Sequence, residues 1–279
     1  MPMRVAISAL TNNERVELWE RAADMLPPQR AVALVSAYLS SQYEGDVVDW
    51  TLAGRDHFLL LAYRAEFGES IAVVCACSEC TAKTQLSFTV SQVLASGSER
   101  LKSNTEATEI NTEAYLPYYE TLDTELGMAA FSGRFRLPIV RDLFVLASSN
   151  SPLSKPHTQS EFAQCVLDPA SYRDVLSCID KSEDAASAWR AFYLALEARM
   201  LEIEPLTIVS LNSACTECGA ETAHQFDIAN QFWSLLTSDV ERQLWDVHLL
   251  ASAYGWSSHD ILAMSPARRR QHIAMVIDS

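Results

Sequence analysis

Two Cys-x-x-Cys pairs, Cys77/Cys80 and Cys215/Cys218, constrain this chain more than any other sequence feature. The residues after the two pairs correspond without a gap: Ala82 with Ala220, Thr84 with Thr222, Phe88 with Phe226 and Val90 with Ile228. An apolar run also precedes each pair. The pattern predicts a strand, a cysteine knuckle and a second strand around each of the two pairs. Because a structural zinc takes four ligands in a tetrahedron, we predict that Cys77, Cys80, Cys215 and Cys218 bind one structural Zn²⁺.

Two alternatives to a zinc site remain open for these cysteines. The hairpins could persist as degenerate knuckles that bind no metal, or the pairs could be redox-active dithiols. Doubling a pair in matched strand contexts favours a shared metal over redox chemistry. The second knuckle is the better formed, because Gly219 supplies the turn after its last thiolate, whereas the first has Thr81 there and an additional Cys75 nearby.

The spacing of the knuckles also predicts how the chain is organised. Each hairpin supplies only two ligands, so the hairpins should meet in space, and the residues between them should form an excursion from one composite domain. We predict an α+β fold that is mainly helical. Its parts are an N-terminal helical segment at 1–68, a split four-cysteine zinc-ribbon-like module at 69–90 plus 206–230, a long and mostly helical insertion at 91–205, and a C-terminal helical segment at 231–279.

Local signals predict helices and strands within these parts. Thr11 and Glu14 form a capping-box pattern at the start of a helix that ends before Pro27 and Pro28. Further helices are predicted at 55–66, 140–147, 159–167 and 185–203, with three more between 231 and 277. A short strand is predicted at 133–138, and surface loops are predicted at 96–112 and 149–156.

The charge of the chain disfavours two classes of partner. A net charge of −15 and a pI near 4.8 argue against nucleic acid, which needs a basic face, and against anionic membranes. The N-terminal residues lack the apolar core of a signal peptide, and the longest apolar run, Phe58–Tyr63, is too short to span a bilayer. Seven cysteines with two clear pairs suit a reducing compartment. We therefore expect a cytoplasmic protein.

The sequence offers no pattern that is typical of an enzyme. It has no Gly-rich phosphate loop, no Ser-centred elbow and no paired-carboxylate motif. The six histidines do not gather at ligand spacing, and His224, beside the second knuckle, is expected on a strand face. Cys165 and Cys178 are expected to pack as small apolar residues in helices. We predict no catalytic and no cofactor-binding residues.

The C-terminal region is rich in aromatic residues, including Trp245, Tyr254 and Trp256. The simplest interpretation of these residues is a small helical core. The neighbouring Arg268–Arg270 run is a basic patch in an acidic chain. Its charges either complement a helix end or form a docking point for an acidic partner surface.

Taken together, several short motifs resemble one known family. They are Leu18–Glu20, Gly54–Asp56, Phe67–Gly68, Phe135–Pro138, Cys215 to Gly219, Phe226–Ile228, Val247–Ala251, Tyr254–Trp256, Ile261–Leu262 and Arg268–Arg269. This set is similar to the baseplate hub assembly chaperone family of T-even-like contractile phages and to its relatives in bacterial contractile injection system clusters. The likeness runs across most of the chain and is most specific at the C-terminal end. Departures from it are Ser78, Thr81 and Glu204, where the family often has Pro, Gly and Asp.

The resemblance implies a non-enzymatic role in building the baseplate of a phage-tail-like injection machine, with hub or spike proteins as partners. The protein would act in the cytoplasm or be incorporated in the injection particle. An assembly chaperone or adaptor and a permanent minor baseplate subunit are both compatible with the sequence. A general zinc-ribbon binding module is the weaker alternative. The positions that carry over are the four knuckle cysteines, as structural ligands.

Overall fold

The structure, a computed structural model, describes residues 4–39, 43–107, 109–126, 129–148 and 156–277. It shows a mixed α+β chain in which helices predominate and strands form small antiparallel pairs, so the predicted fold class is confirmed. Among the described residues, no helix combines the length and the apolar character that crossing a membrane requires.

The described residues form twelve α-helices and eight β-strands. The helices are α1 (Asn12–Ala22), α2 (Pro27–Tyr38), α3 (Leu52–Phe67), α4 (Val90–Leu94), α5 (Glu99–Lys102), α6 (Val140–Ser148), α7 (Pro156–Val166), α8 (Pro169–Asp180), α9 (Ala185–Ile203), α10 (Ile228–Tyr254), α11 (Ser258–Ala263) and α12 (Pro266–Ile277). The strands are β1 (Arg4–Val5), β2 (Ser70–Ala76), β3 (Lys83–Thr89), β4 (Ile110–Asn111), β5 (Tyr119–Leu126), β6 (Ala129–Arg136), β7 (Val209–Ala214) and β8 (Glu221–Phe226).

The chain divides into two compact units. Unit 1 comprises Met1–Ala6 and Ser41–Phe226, and unit 2 comprises Ile7–Ser40 and Asp227–Ser279. Both knuckle hairpins and the segment between them belong to unit 1. The four-part division that the sequence suggested stays a prediction.

Helix α3 leads into the first hairpin of unit 1. Thr51 caps its N-terminus, where the Thr51 hydroxyl accepts a hydrogen bond from the Gly54 N–H at 3.0 Å, and Gly68, with a φ of 88°, caps its C-terminus. The helix predicted at 55–66 is present, and the observed helix starts three residues earlier, at Leu52. Trp50 and Tyr115 pack against each other beside it with ring centroids 4.7 Å apart. This core anchors the chain immediately before β2.

A buried carboxylate fixes the start of the second hairpin. Glu204 is only 4% exposed and accepts hydrogen bonds from the Ser98 N–H at 3.1 Å, from the Ser98 hydroxyl and from the Leu206 N–H at 3.2 Å. The segment that follows α4, after the first hairpin, is thereby tied to the segment that precedes β7. The two hairpins are therefore connected away from their cysteines.

The segment between the hairpins has a hydrophobic core of its own. Strands β5 and β6 form a hairpin whose inner face packs on α7, α8 and α9, and Phe131 meets Phe192 edge to face at 5.4 Å. The predicted strand at 133–138 lies largely within β6, whereas β5 and α8 were not predicted. The expected surface loop at 96–112 is wrong in part, since α5 and β4 form there and Leu101 and Ile110 are buried. The loop predicted at 149–156 lies outside the described residues as far as 155.

Unit 2 is a small helical core. The capping box at the start of α1 is confirmed: the Thr11 N–H donates to Glu14 Oε2 at 2.7 Å, and the Glu14 N–H donates to Thr11 Oγ1 at 3.3 Å. Helices α10, α11 and α12 confirm the three predicted C-terminal helices. Tyr38 on α2 packs on Phe232 of α10 with ring centroids 5.1 Å apart.

Candidate metal centre

The first cysteine knuckle is a tight turn between β2 and β3. The Cys77 N–H donates to the Ala82 carbonyl at 2.9 Å, and the Thr81 N–H donates to the Cys77 carbonyl at 3.0 Å. The Glu79 N–H points at the Cys77 sulfur, at 3.4 Å. These bonds hold both thiols of the pair on one side of the turn.

The second knuckle repeats this geometry between β7 and β8. The Cys215 N–H donates to the Ala220 carbonyl at 2.8 Å, and the Gly219 N–H donates to the Cys215 carbonyl at 2.9 Å. Each of these residues lies 138 positions after its counterpart in the first knuckle. The gap-free sequence match between the two segments is therefore a match of backbone structure as well.

The tips of the two hairpins meet at their cysteines. The Cys77 and Cys218 Sγ atoms are 3.7 Å apart, and the Cys80 and Cys215 Sγ atoms are 3.6 Å apart. All four sulfurs lie within 4.8 Å of one another. In a tetrahedral zinc site with bonds of about 2.3 Å, neighbouring sulfurs are about 3.8 Å apart. The four cysteines predicted from the sequence thus lie together, and they could hold a metal ion.

Each knuckle has one buried and one exposed cysteine. Cys77 and Cys215, the first cysteine of each pair, are buried at 5% exposure, whereas Cys80 and Cys218 are exposed. The cluster therefore lies at the edge of the hairpin pair, partly accessible to solvent.

Backbone N–H groups favour a thiolate in this cluster. Hydrogen bonds from the Cys218 and Glu217 N–H groups lower the pKa of Cys215 to about 7. Although the Ala82 N–H stabilises the Cys80 thiolate, hydrogen bonds with the Cys218 and Cys215 thiols raise the pKa of Cys80 to about 12. The Cys215 thiol therefore ionises more readily than the Cys80 thiol, which keeps its proton near pH 7. A metal ion must displace the proton of any ligand thiol when it binds.

Away from the cysteines, the two hairpins also meet through aromatic side chains. Phe88 and Phe226 meet edge to face with ring centroids 5.1 Å apart, at the far end of the strands from the cysteines. His224 lies on β8, as expected, and its Nε2 is 2.9 Å from the Thr222 hydroxyl. In the described part of the chain, the four knuckle cysteines form the one group of ligands close enough for a metal ion.

The other cysteines lie apart from this centre. Cys75 is half-buried on β2, two residues before the first ligand, and is outside the cluster. Cys165 and Cys178 pack at the edge of the core of the inserted segment, as expected for small apolar residues. Burial raises the pKa of the Cys165 thiol, which makes it a poor nucleophile.

One buried polar pair was not predicted from the sequence. His57 is fully buried on α3, with Nδ1 2.9 Å from the Tyr115 hydroxyl and Nε2 3.3 Å from the Thr105 hydroxyl. Burial and the charge of Arg64 lower the pKa of His57 to about 4. The imidazole is therefore neutral near pH 7 and serves as a structural hydrogen-bonding group.

In comparisons with known proteins, the chain matches no protein-family model, no curated protein and no solved structure.

Proposed function

We propose that this protein is a non-enzymatic assembly factor, a chaperone or adaptor, for the baseplate hub of a phage-tail-like contractile injection system. In this proposal a structural Zn²⁺ held by Cys77, Cys80, Cys215 and Cys218 stabilises the scaffold, and hub or spike proteins are the partners. The observation that carries the proposal is the convergence of two distant knuckles within 4.8 Å. This convergence joins the two hairpins that flank the long inserted segment in the chain.

The donor set supports zinc in a structural role. Four thiolates are soft ligands that select zinc over magnesium or calcium. They fill all four positions of a tetrahedral ion, so that no position is left for a substrate or a reactive water. The ion would contribute folding free energy by tying the two hairpins together. This supports a scaffold function rather than metal-dependent catalysis.

The C-terminal motifs that carry most of the resemblance have defined packing roles in unit 2. Gly255 ends α10 in the left-handed conformation, with a φ of 67°. Leu250, Ile261 and Arg269 are buried. A resemblance that includes core and capping residues supports a shared fold for this unit.

The charge of the chain supports protein partners. At −15 the chain lacks the excess of basic residues that binding to nucleic acid or to an anionic membrane needs. An unassembled baseplate subunit instead exposes a protein surface until its neighbour binds. An assembly factor would cover that surface. We place this activity in the cytoplasm, where the machine is built.

Comparing purified mature particles with whole-cell lysate by quantitative mass spectrometry, alongside a deletion strain, tests this function. We expect the protein to be absent from mature particles and the deletion strain to assemble no baseplates. Complementation with the wild-type chain should restore assembly, and a Cys77→Ser/Cys215→Ser variant should not.

Other outcomes of that experiment would overturn the proposal. Stoichiometric retention in the particles would identify a permanent minor baseplate subunit, which is the alternative compatible with the sequence. Normal particles in the deletion strain would point to a function outside baseplate assembly, such as that of a general zinc-ribbon binding module.

A further inference from the structure

A tryptophan lies at the centre of the exposed face of α10 in unit 2. Trp245 is 62% exposed, although it belongs to a 27-residue helix whose opposite face forms the core of the unit. Ser238, Glu241 and Ser252 share its face and are also exposed. Folding does not require an indole at this position, since a polar residue would serve the pattern equally well.

The neighbours of Trp245 enlarge this apolar spot into a surface. The His248 ring lies beside the indole, with centroids 5.6 Å apart and planes inclined by 31°. Leu244, 38% exposed, precedes the tryptophan, and Leu249 is half-buried one turn further along the helix. Exposed aromatic side chains surrounded by polar groups are typical of the residues that dominate protein–protein binding.

Several arginines of unit 2 interact with the carboxylates of α10 next to this surface. The side chain of Arg242 is 72% exposed one turn before Trp245, and it shares Asp239 with Arg15. Arg269 pairs with Asp246 at 3.2 Å, and both Arg242 and Arg270 lie close enough to stabilise the same carboxylate.

Arg269, which pairs with Asp246, has a guanidinium nitrogen that makes no hydrogen bond. Arg269 is buried at 4% exposure, and its Nη1 has no hydrogen-bond partner. The carboxylates of α10 in this region are Asp239, Glu241 and Asp246, against the four arginines Arg15, Arg242, Arg269 and Arg270. These groups leave an excess of one positive charge, in a chain whose net charge is −15.

We infer that the α10 face formed by Arg242, Trp245 and His248, together with Arg270 of α12, is a docking surface for an acidic protein segment with an apolar anchor. The anchor would cover the indole, and the carboxylates would pair with the exposed guanidinium groups. Arginine is suited to this role because its planar fork binds a carboxylate through two hydrogen bonds. The inference deepens the proposed function, on which it rests, by naming the chemistry of the partner segment.

A photo-cross-linking experiment in the native cell tests the docking surface. Trp245 is replaced by p-benzoyl-phenylalanine in the full chain, and cross-linked peptides are sequenced after irradiation. Val74, 66% exposed on the outer face of β2, receives the same replacement as a matched control because no arginine lies among its strand neighbours. Helical circular dichroism of the purified variants confirms that each one folds.

We expect position 245, and not position 74, to cross-link one protein segment with net negative charge. Adding Arg242→Glu and Arg270→Glu should reduce the yield at least tenfold because like charges then face the segment. Changing the same two residues to Lys should retain most of the yield, since the positive charge remains.

Three results would overturn the inference: equal yields at positions 74 and 245, a basic or uncharged target segment, or cross-links to a second copy of this chain. An acidic target in a protein unrelated to any injection machine would support the docking surface while contradicting the proposed function. The two proposals can therefore fail separately.

Discussion

Thr81 and Gly219 occupy equivalent positions in the two cysteine knuckles, with φ angles of 62° and 72°. The left-handed conformation costs a residue with a Cβ atom about 1–2 kcal/mol, and glycine avoids this cost. The first knuckle therefore carries a strain that the second does not. Both knuckles nevertheless make the same pair of backbone hydrogen bonds.

This asymmetry predicts opposite effects of matched substitutions. Thr81→Gly should raise the free energy of unfolding by about 1 kcal/mol, and Gly219→Ala should lower it by about the same amount. No atom lies within 4 Å of a Cβ built on Gly219, so its cost is conformational rather than steric. Urea denaturation measures both changes in the free energy of unfolding. Thr81→Ala is the control, and it should not raise the free energy of unfolding. A destabilising Thr81→Gly would show that Thr81 is not strained.

Replacing a knuckle cysteine should remove the metal and weaken the fold. Cys215→Ser is expected to lose bound zinc and to lower the melting temperature, because the remaining three thiolates bind less tightly and the hairpin tips separate. Metal content by atomic emission and thermal unfolding by calorimetry measure the two effects. The control is Cys75→Ser, on the first hairpin but outside the cluster, which should keep its zinc. Full zinc retention in Cys215→Ser would contradict the ligand assignment.

His57 should make stability depend on pH between about 6.5 and 4. Its pKa is about 4 in the folded state, so the unfolded chain takes up a proton at higher pH than the folded chain does. The stability contribution is complete above pH 6.5 and decreases as the pH falls, by up to about 3 kcal/mol at pH 4. Denaturation curves across this range measure the slope.

The variant His57→Gln isolates that slope from the loss of metal at low pH. Glutamine keeps a neutral hydrogen-bonding group beside Tyr115 but does not titrate, while the cysteines are the same in both proteins. The difference in stability between wild type and variant should therefore shrink as the pH falls. A constant difference from pH 6.5 to 4 would show that His57 is not the responsible group.

The buried ion pair between Arg136 and Asp142 should be sensitive to removal of one partner. Two hydrogen bonds of 2.7 and 2.9 Å join the side chains, and the Ile139 N–H donates to the same carboxylate at 2.9 Å. Asp142→Ala should cost about 3–5 kcal/mol because it leaves a guanidinium without its counter-charge. The exposed pair of Arg141 and Asp49 is the matched control, and Asp49→Ala should cost less than about 1 kcal/mol. Equal costs would contradict this distinction.

The metal centre could be predicted from the sequence because its signals are local. Each knuckle pattern occupies about a dozen consecutive residues. Because the two patterns match, both knuckles were expected to supply ligands to one site. The pairing of Cys77 with Cys218, rather than with Cys215, depends on how the hairpins face each other. That relationship is three-dimensional and has no sequence signal.

Elements of the inserted segment were missed for different reasons. In β5 the inward positions alternate between apolar Leu122 and Leu126 and polar Glu120 and Thr124, so the period-two pattern of a strand is obscured. Helix α8 did carry a signal, since Asp168 caps it, accepting from the Ala170 and Ser171 N–H groups, and Pro169 is its first residue.

Long-range polar partners left no sequence signal at all. His57 and Tyr115 lie 58 positions apart, and no periodicity or motif links them. Only the packing of α3 against the 3₁₀ turn at Thr112–Tyr115 brings them together. Interactions of this kind depend on the tertiary fold.

X-ray absorption at the zinc edge of the purified protein tests directly whether the four cysteines hold zinc. We expect one zinc per chain with a first shell of four sulfur atoms at about 2.3 Å. A protein that folds without metal, or a first shell that contains nitrogen or oxygen, would contradict a structural four-cysteine centre.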